Sequence, residues 1–301
     1  LYGQTLAQRI DRYRTLPEVL ALDMQLQDAL RRPLSTDEVA QLNRKLEQAN
    51  GASQSSTLTL LNSDGLAVAA SNWRSATSNV GQDYSFRPYV QQALAQGRGS
   101  FYGIGVTTGV PGYFLSQAIR DESGHTLGLV VIKIALQELE REWLQTPDIV
   151  LASDAHGVVF LASQDAWRYR LLQPLSDEER RELNATRQYA NQPLRPLVQV
   201  EDHMDNGGQL VRVASSPDMP APAGRVLWQS QTLPGTPWQL HLVHDTHSSL
   251  SDSRWAGAAG AGGWLVLALL VLFVRQRQRL ARLRQRSRQE LETVLQQHAQ
   301  E

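Results

Sequence analysis

The chain has 301 residues, with 29 Lys and Arg against 30 Asp and Glu, a formal net charge of −1, 42% apolar residues and no cysteine. That length suits about two domains, and the apolar share excludes wholesale disorder. The missing cysteines exclude disulfide scaffolds, thiolate metal sites and thiol nucleophiles, and a charge near zero argues against a protein that coats nucleic acid.

From the start of the chain, Leu6, Ile10, Tyr13, Leu20 and Leu26 predict a long amphipathic helix over residues 1–31, kinked at Pro17. Ser35 then opens a second helix, with acids in its first turn and Gly51 past its end. Residues 1–50 are therefore an N-terminal helical region. Next, two β-rich runs flank Asp64-Gly65, a strong hairpin signal. The same device returns about 90 residues later in IVLASDAHGVVFLAS, residues 149–163. Strong strands follow each hairpin: 113–121 and 126–136 in the first half, then QLVRVASSP, RVLWQSQTL and WQLHLVHD in the second. This order predicts an α+β protein with two tandem PAS-like modules, residues 51–145 and 146–250. Each would be an antiparallel five-stranded sheet with helices packed on it.

Residues 255–274 read WAGAAGAGGWLVLALLVLFV, 20 residues without a charge. That is the length of one transmembrane helix. Seven Arg and three Glu follow, so residues 275–301 carry +4 and the remainder −5. The positive-inside rule places the basic flank in the cytoplasm and residues 1–254 in a bacterial periplasm. Leu280, Leu283, Leu291, Val294 and Leu295 continue a helical pattern, read as a truncated coiled-coil linker ahead of a cytoplasmic output domain. Export is expected from a membrane helix upstream of Leu1.

The chemistry concentrates in DYSFRPYVQQALAQGRGSFYGIGVTTGVPGYFLS, residues 83–116. Arg87 lies among Tyr84, Phe86 and Tyr89, and an arginine so placed suits a two-pronged pair with a carboxylate. Thr107, Thr108, Gly109 and Gly112 form a hydroxyl-rich loop with backbone N–H groups able to wrap an anion. Lys133 interrupts the apolar strand GLVVIKIAL, where a lysine is costly unless it meets an anion. Each feature alone has an ordinary explanation: a structural salt bridge, a snorkelling side chain, a turn. Together, with no acid among residues 84–120, they favour an anion pocket with two cationic poles. A dinucleotide loop at Gly103–Gly109 fails because Pro111 stands where a helix should begin. His241 and His244 face opposite ways on a strand, so a metal shared with His247 is not expected. No nucleophile–base pair supports an enzyme.

The motif blocks SNWRSATSNVGQDYSFRPYVQQAL, GRGSFYGIGVTTGVPGYFLSQAI and GLVVIKI, with RYRTLPEVLA near the start, resemble the periplasmic sensor region of C4-dicarboxylate sensor histidine kinases, the DctB family. The resemblance covers residues 1–245 and continues through the membrane helix. It implies a double PAS-like (PDC, or Cache) domain that binds succinate, fumarate or malate in the membrane-distal module. Matched by motif, the ligand-binding residues are Ser85, Arg87, Tyr89, Thr107, Thr108, Gly109, Gly112, Tyr113, Phe114 and Lys133. It further implies a homodimer in the inner membrane, a response regulator reached through a kinase region not in this chain, and a dicarboxylate transporter as a further partner. No cofactor is expected within the chain, ATP and magnesium belonging to the kinase domain. The alternative is a chemoreceptor or cyclase sensor of the same fold reading an amino acid.

Overall fold

The computed structural model describes residues 2–190, 192–197, 199–203, 209–222 and 224–245. The predicted membrane span and coiled-coil linker lie outside the described residues. Among those described, no helix is long and apolar enough to cross a membrane.

The single helix expected over residues 1–31 is instead three: α1 (Tyr2–Asp11), α2 (Leu16–Ala21) and α3 (Met24–Leu30). Pro17 stands in the first turn of α2, where its missing N–H costs nothing. The Asp23 carboxylate then caps α3 by accepting from the N–H groups of Gln25 and Leu26. The apolar positions still face inward, with Leu6, Ile10, Tyr13 and Leu26 all buried. α4 (Thr36–Ser53) begins as the sequence predicts, with Ser35 and Glu38 in a reciprocal capping box. Its end differs. The helix runs through Gly51 to a left-handed cap at Gln54 (φ 58°), where Ser55 Oγ donates to Asn50 Oδ1 at 2.6 Å.

The first sheet contains β1 (Thr57–Asn62), β2 (Ala67–Ala70), β3 (Arg98–Ile104), β4 (Pro111–Arg120) and β5 (Thr126–Ile134) in the order β2-β1-β5-β4-β3. The β1–β2 turn falls at Asp64-Gly65 as predicted. Helix α5 (Pro88–Gln96) occupies part of residues 83–116, a stretch for which no helix is expected above. Strand alternation divides the apolar residues between two faces. Leu58, Leu60, Val130 and Ile132 join Leu6, Ile10, Leu42 and Leu46 under the N-terminal helices. Leu61, Leu129, Val131 and Phe114 pack on the opposite face with Val90 and Ala93 of α5.

α6 (Gln137–Trp143) leads to the second module: β6 (Ile149–Ser153), β7 (Val159–Ala162), β8 (Arg170–Leu171), α7 (Asp177–Thr186), β9 (Arg195–Pro196), β10 (Gln199–His203), β11 (Gln209–Val213), β12 (Val226–Thr232) and β13 (Gln239–Asp245). Its sheet has the order β10-β11-β12-β13-β6-β7, the expected five strands plus the edge strand β10; β8 and β9 pair separately. Both sheets lie in one compact unit, Leu1–His244. Aromatic rings join them. Tyr102 lies 4.3 Å from Phe160 by ring centroids, and Tyr113 meets Trp238 edge-on at 5.1 Å.

Candidate functional site

The register of the first sheet builds the floor of the site. Lys133 on β5 stands opposite Thr57 on β1 and Phe114 on β4, and Val131 stands opposite Thr59. Residues two apart share a face, so this row points toward α5, away from the N-terminal helices. Over it lies a small cavity of about 20 Å³. Arg87, Tyr89, Thr107, Thr108, Phe114 and Lys133 all line it, and none of its lining residues is an acid.

Arg87 is the N-cap residue of α5, in extended backbone, and its side chain turns inward to 1% exposure. Its Nη1 donates to the carbonyls of Thr186 at 3.0 Å and Arg187 at 3.1 Å, and its Nη2 donates to the Ile104 carbonyl. The rings of Phe86 and Phe101 lie 5.5 and 5.6 Å from Cζ. Burial holds its pKa below the ordinary arginine value, yet a guanidinium stays charged throughout the working pH range. Lys133 is 4% exposed. Its ammonium donates to Thr108 Oγ1 at 3.1 Å and to the Val110 carbonyl at 2.7 Å. Burial, and then the charge of Arg87, bring its pKa down to about 8. Two buried cations thus feel one another across a cavity without a neutralising carboxylate in its wall.

Hydroxyls and an amide complete the wall. Tyr84 Oη and Thr107 Oγ1 are 2.7 Å apart, and Asn79 Nδ2 donates to Thr59 Oγ1 at 3.0 Å. The loop 105–110 closes on itself through Gly105 N–H to Val110 O and Gly109 N–H to Gly105 O. The Gly109 N–H is therefore engaged within the loop, whereas the sequence reading offered it to an anion. Lys133 and Tyr84 fasten the loop to the floor.

Four of the predicted site residues do not line the cavity. Ser85 is exposed, its N–H bonded to Asp83 Oδ1 at 2.8 Å. Gly109 stands at the outer tip of the loop in open space. Tyr113, adjacent to Phe114, necessarily points to the opposite face and packs on Trp238. Gly112 acts by what it lacks: a Cβ there would stand 2.7 Å from Lys133 Cε, so glycine lets the lysine stem pass. Sequence reasoning missed Thr57, Thr59 and Asn79 as wall residues. The first two were legible in the alternation of TLTLLN. Asn79 had no periodic signal.

His241 and His244 diverge as expected. His241 is buried between Ser153 Oγ at 2.9 Å and Ser230 Oγ at 2.8 Å, whereas His244 Nδ1 lies 2.6 Å from Asp148 Oδ1. Among the described residues no cluster of histidines and acids could hold a metal ion.

No protein-family model matches the chain. It is 29% identical over 277 residues to the C4-dicarboxylate transport sensor protein DctB of Rhizobium meliloti, covering 90% of this chain and 44% of that protein. Against the protein of the same name from Pseudomonas aeruginosa the identity is 31% over 274 residues, covering 90% of this chain and 40% of the relative. The chain therefore spans less than half the length of these curated relatives. Among solved structures it is similar to the sensor domain of the V. cholerae histidine kinase DctB, with a TM-score of 0.73 and 25% identity over 81% of this chain and 93% of that one.

Proposed function

We propose that this chain carries the sensor region of the DctB family and senses C4-dicarboxylates such as succinate, fumarate and malate outside the cytoplasm of a bacterium. In this reading residues 1–254 are periplasmic, 255–274 cross the inner membrane, and binding is signalled to a histidine kinase output that controls dicarboxylate transport through a response regulator.

The observation that carries the proposal is the pair of buried cations, Arg87 and Lys133, facing one cavity whose lining contains no acid. A ligand with a carboxylate at each end supplies the two missing charges, and charge-assisted bonds are the strong ones. Hydroxyls from Thr57, Thr59, Thr107 and Thr108 suit the remaining carboxylate oxygens. An amino acid would bring an ammonium that finds no acid here and would sit beside two cations, at a cost from like charge.

Titration calorimetry of the chain against succinate, acetate and aspartate tests this. Succinate should bind, acetate far more weakly because it fills one pole, and aspartate more weakly than succinate. Arg87→Ala should remove the rise in melting temperature that succinate produces. Absence of dicarboxylate binding, or an undiminished succinate effect in Arg87→Ala, would overturn the assignment.

A further inference from the structure

We infer that Arg87 is the joint between the two modules, so that a carboxylate held by this guanidinium is read at the C-terminal end of α7; the inference rests on the cavity being the dicarboxylate site. Arg87 has two sets of neighbours. It lines the cavity, and its terminal nitrogens hold the carbonyls of Thr186 and Arg187, 99 and 100 residues further along the chain. Those carbonyls belong to the last turn and cap of α7, where Arg187 is left-handed at φ 48°. Carbonyls at a helix C-terminus have no partner inside the helix and carry the negative end of its dipole. A buried cation supplied by the other module satisfies them.

The connection continues into the second sheet. The Gln188 carbonyl accepts from the Ile104 N–H at 2.8 Å. Gln188 Nε2 and Tyr189 Oη both donate to Asp154 Oδ2, at 3.1 and 2.6 Å. Asp154 Oδ1 in turn accepts from the N–H groups of His156 and Val158, which closes the turn between β6 and β7. β6 pairs with β13, the last described strand before the predicted span. The steps from cavity to β13 are hydrogen bonds, peptide-bonded neighbours and a strand pairing.

A carboxylate beside Arg87 competes with neutral carbonyls for one cation. Bonds to ionised acceptors are roughly twice as strong as neutral ones, so the guanidinium moves toward the ligand and its hold on Thr186 and Arg187 slackens. The expected signature is opposite in sign to simple stabilisation. Ligand should slow exchange in the first sheet, yet speed it at the α7 terminus.

Amide hydrogen exchange on the chain, with and without saturating succinate, tests the inference. Arg187, Gln188 and Ala190 should exchange about tenfold faster with succinate, within the usual range of coupling between sites, and His156 and Val158 should follow in the same direction. Tyr189→Phe removes the hydroxyl that reaches Asp154 without touching the cavity; it should bind succinate normally, keep the effect at residues 187–190 and weaken it at Val158, where Gln188 still reaches Asp154. Gln188→Ala gives the same comparison should Tyr189→Phe fold poorly. Succinate binding with unchanged exchange at 187–190, or a wild-type response at Val158 in both variants, overturns the joint while leaving the binding site intact. Failure of the unmodified chain to bind succinate overturns the binding site, and the joint with it.

Discussion

Replacing Lys133 with methionine should make the protein more stable while abolishing the dicarboxylate binding proposed above. The ammonium is 4% exposed and faces another cation across the cavity. Its pKa of about 8, against 10.5 in an unfolded chain, measures the cost of keeping it charged. Each pKa unit corresponds to about 1.4 kcal/mol, so the folded protein carries a penalty of about 3 kcal/mol at neutral pH. Methionine of similar length removes that penalty and also the bonds to Thr108 and Val110, each about 1 kcal/mol. The net expectation is a gain of about 1–2 kcal/mol in unfolding free energy, read from urea denaturation at pH 7. The pH dependence gives a sharper check. Between pH 8 and 10.5 the unfolded chain holds a proton that the folded one has released, so the wild type gains stability as pH rises and the variant does not. The advantage of Lys133→Met should therefore disappear across that window. In the sensing role proposed above, succinate at about 100 times its dissociation constant would stabilise the wild type by about 2.7 kcal/mol and leave the variant unchanged. A variant less stable than wild type at pH 7, with a stability difference flat from pH 8 to 10.5, would refute the account of Lys133 as a buried, functionally retained charge.

Other expectations follow from the same geometry. Burial brings His241 down to a pKa of about 4, so the unfolded chain protonates first as pH falls below 6.5; stability should decline by about 3 kcal/mol between pH 6.5 and 4, and His241→Gln should remove that part of the slope in denaturation curves. Gly112→Ala places a methyl against the Lys133 stem; overpacking of this kind costs about 1–3 kcal/mol, and calorimetry should show weakened succinate binding even where the fold survives. Ser35→Ala loses the capping box of α4 and should lower unfolding free energy by about 1 kcal/mol without altering ligand affinity.

Much of this architecture was written in local signals. Asp64-Gly65 and Asp154–Gly157 mark turns because each is a short break between apolar strand-forming runs, and Ser35 with Glu38 marks a helix start. Lys133 was conspicuous because a charge in GLVVIKIAL contradicts its surroundings. What local pattern could not supply was the set of long-range partners. Arg87 looked like a ligand hook because of its aromatic neighbours, but its bonds to Thr186 and Arg187 join residues about a hundred positions apart. Tyr113 was grouped with Phe114 by motif, although adjacent strand residues cannot share a face. α5 had its own signs, Pro88 at the start and Gly97 in the left-handed cap, and was hidden by the density of polar and aromatic residues around it. The break after Asp11 had a weaker sign, since Pro17 can either kink one helix or begin another.

The loop over the cavity is fastened by the groups that would receive a ligand: Lys133 holds Thr108 and Val110, and Tyr84 meets Thr107. In the sensing role proposed above, an arriving carboxylate must exchange with these intramolecular acceptors before it gains a contact. The chain thus contains its own competitor at fixed effective concentration, and the observed affinity is the intrinsic one reduced by the strength of that competition. This sets a detection threshold. Substitutions at Thr108, which alter the competitor and leave both cations in place, would tune the concentration of nutrient at which the cell responds.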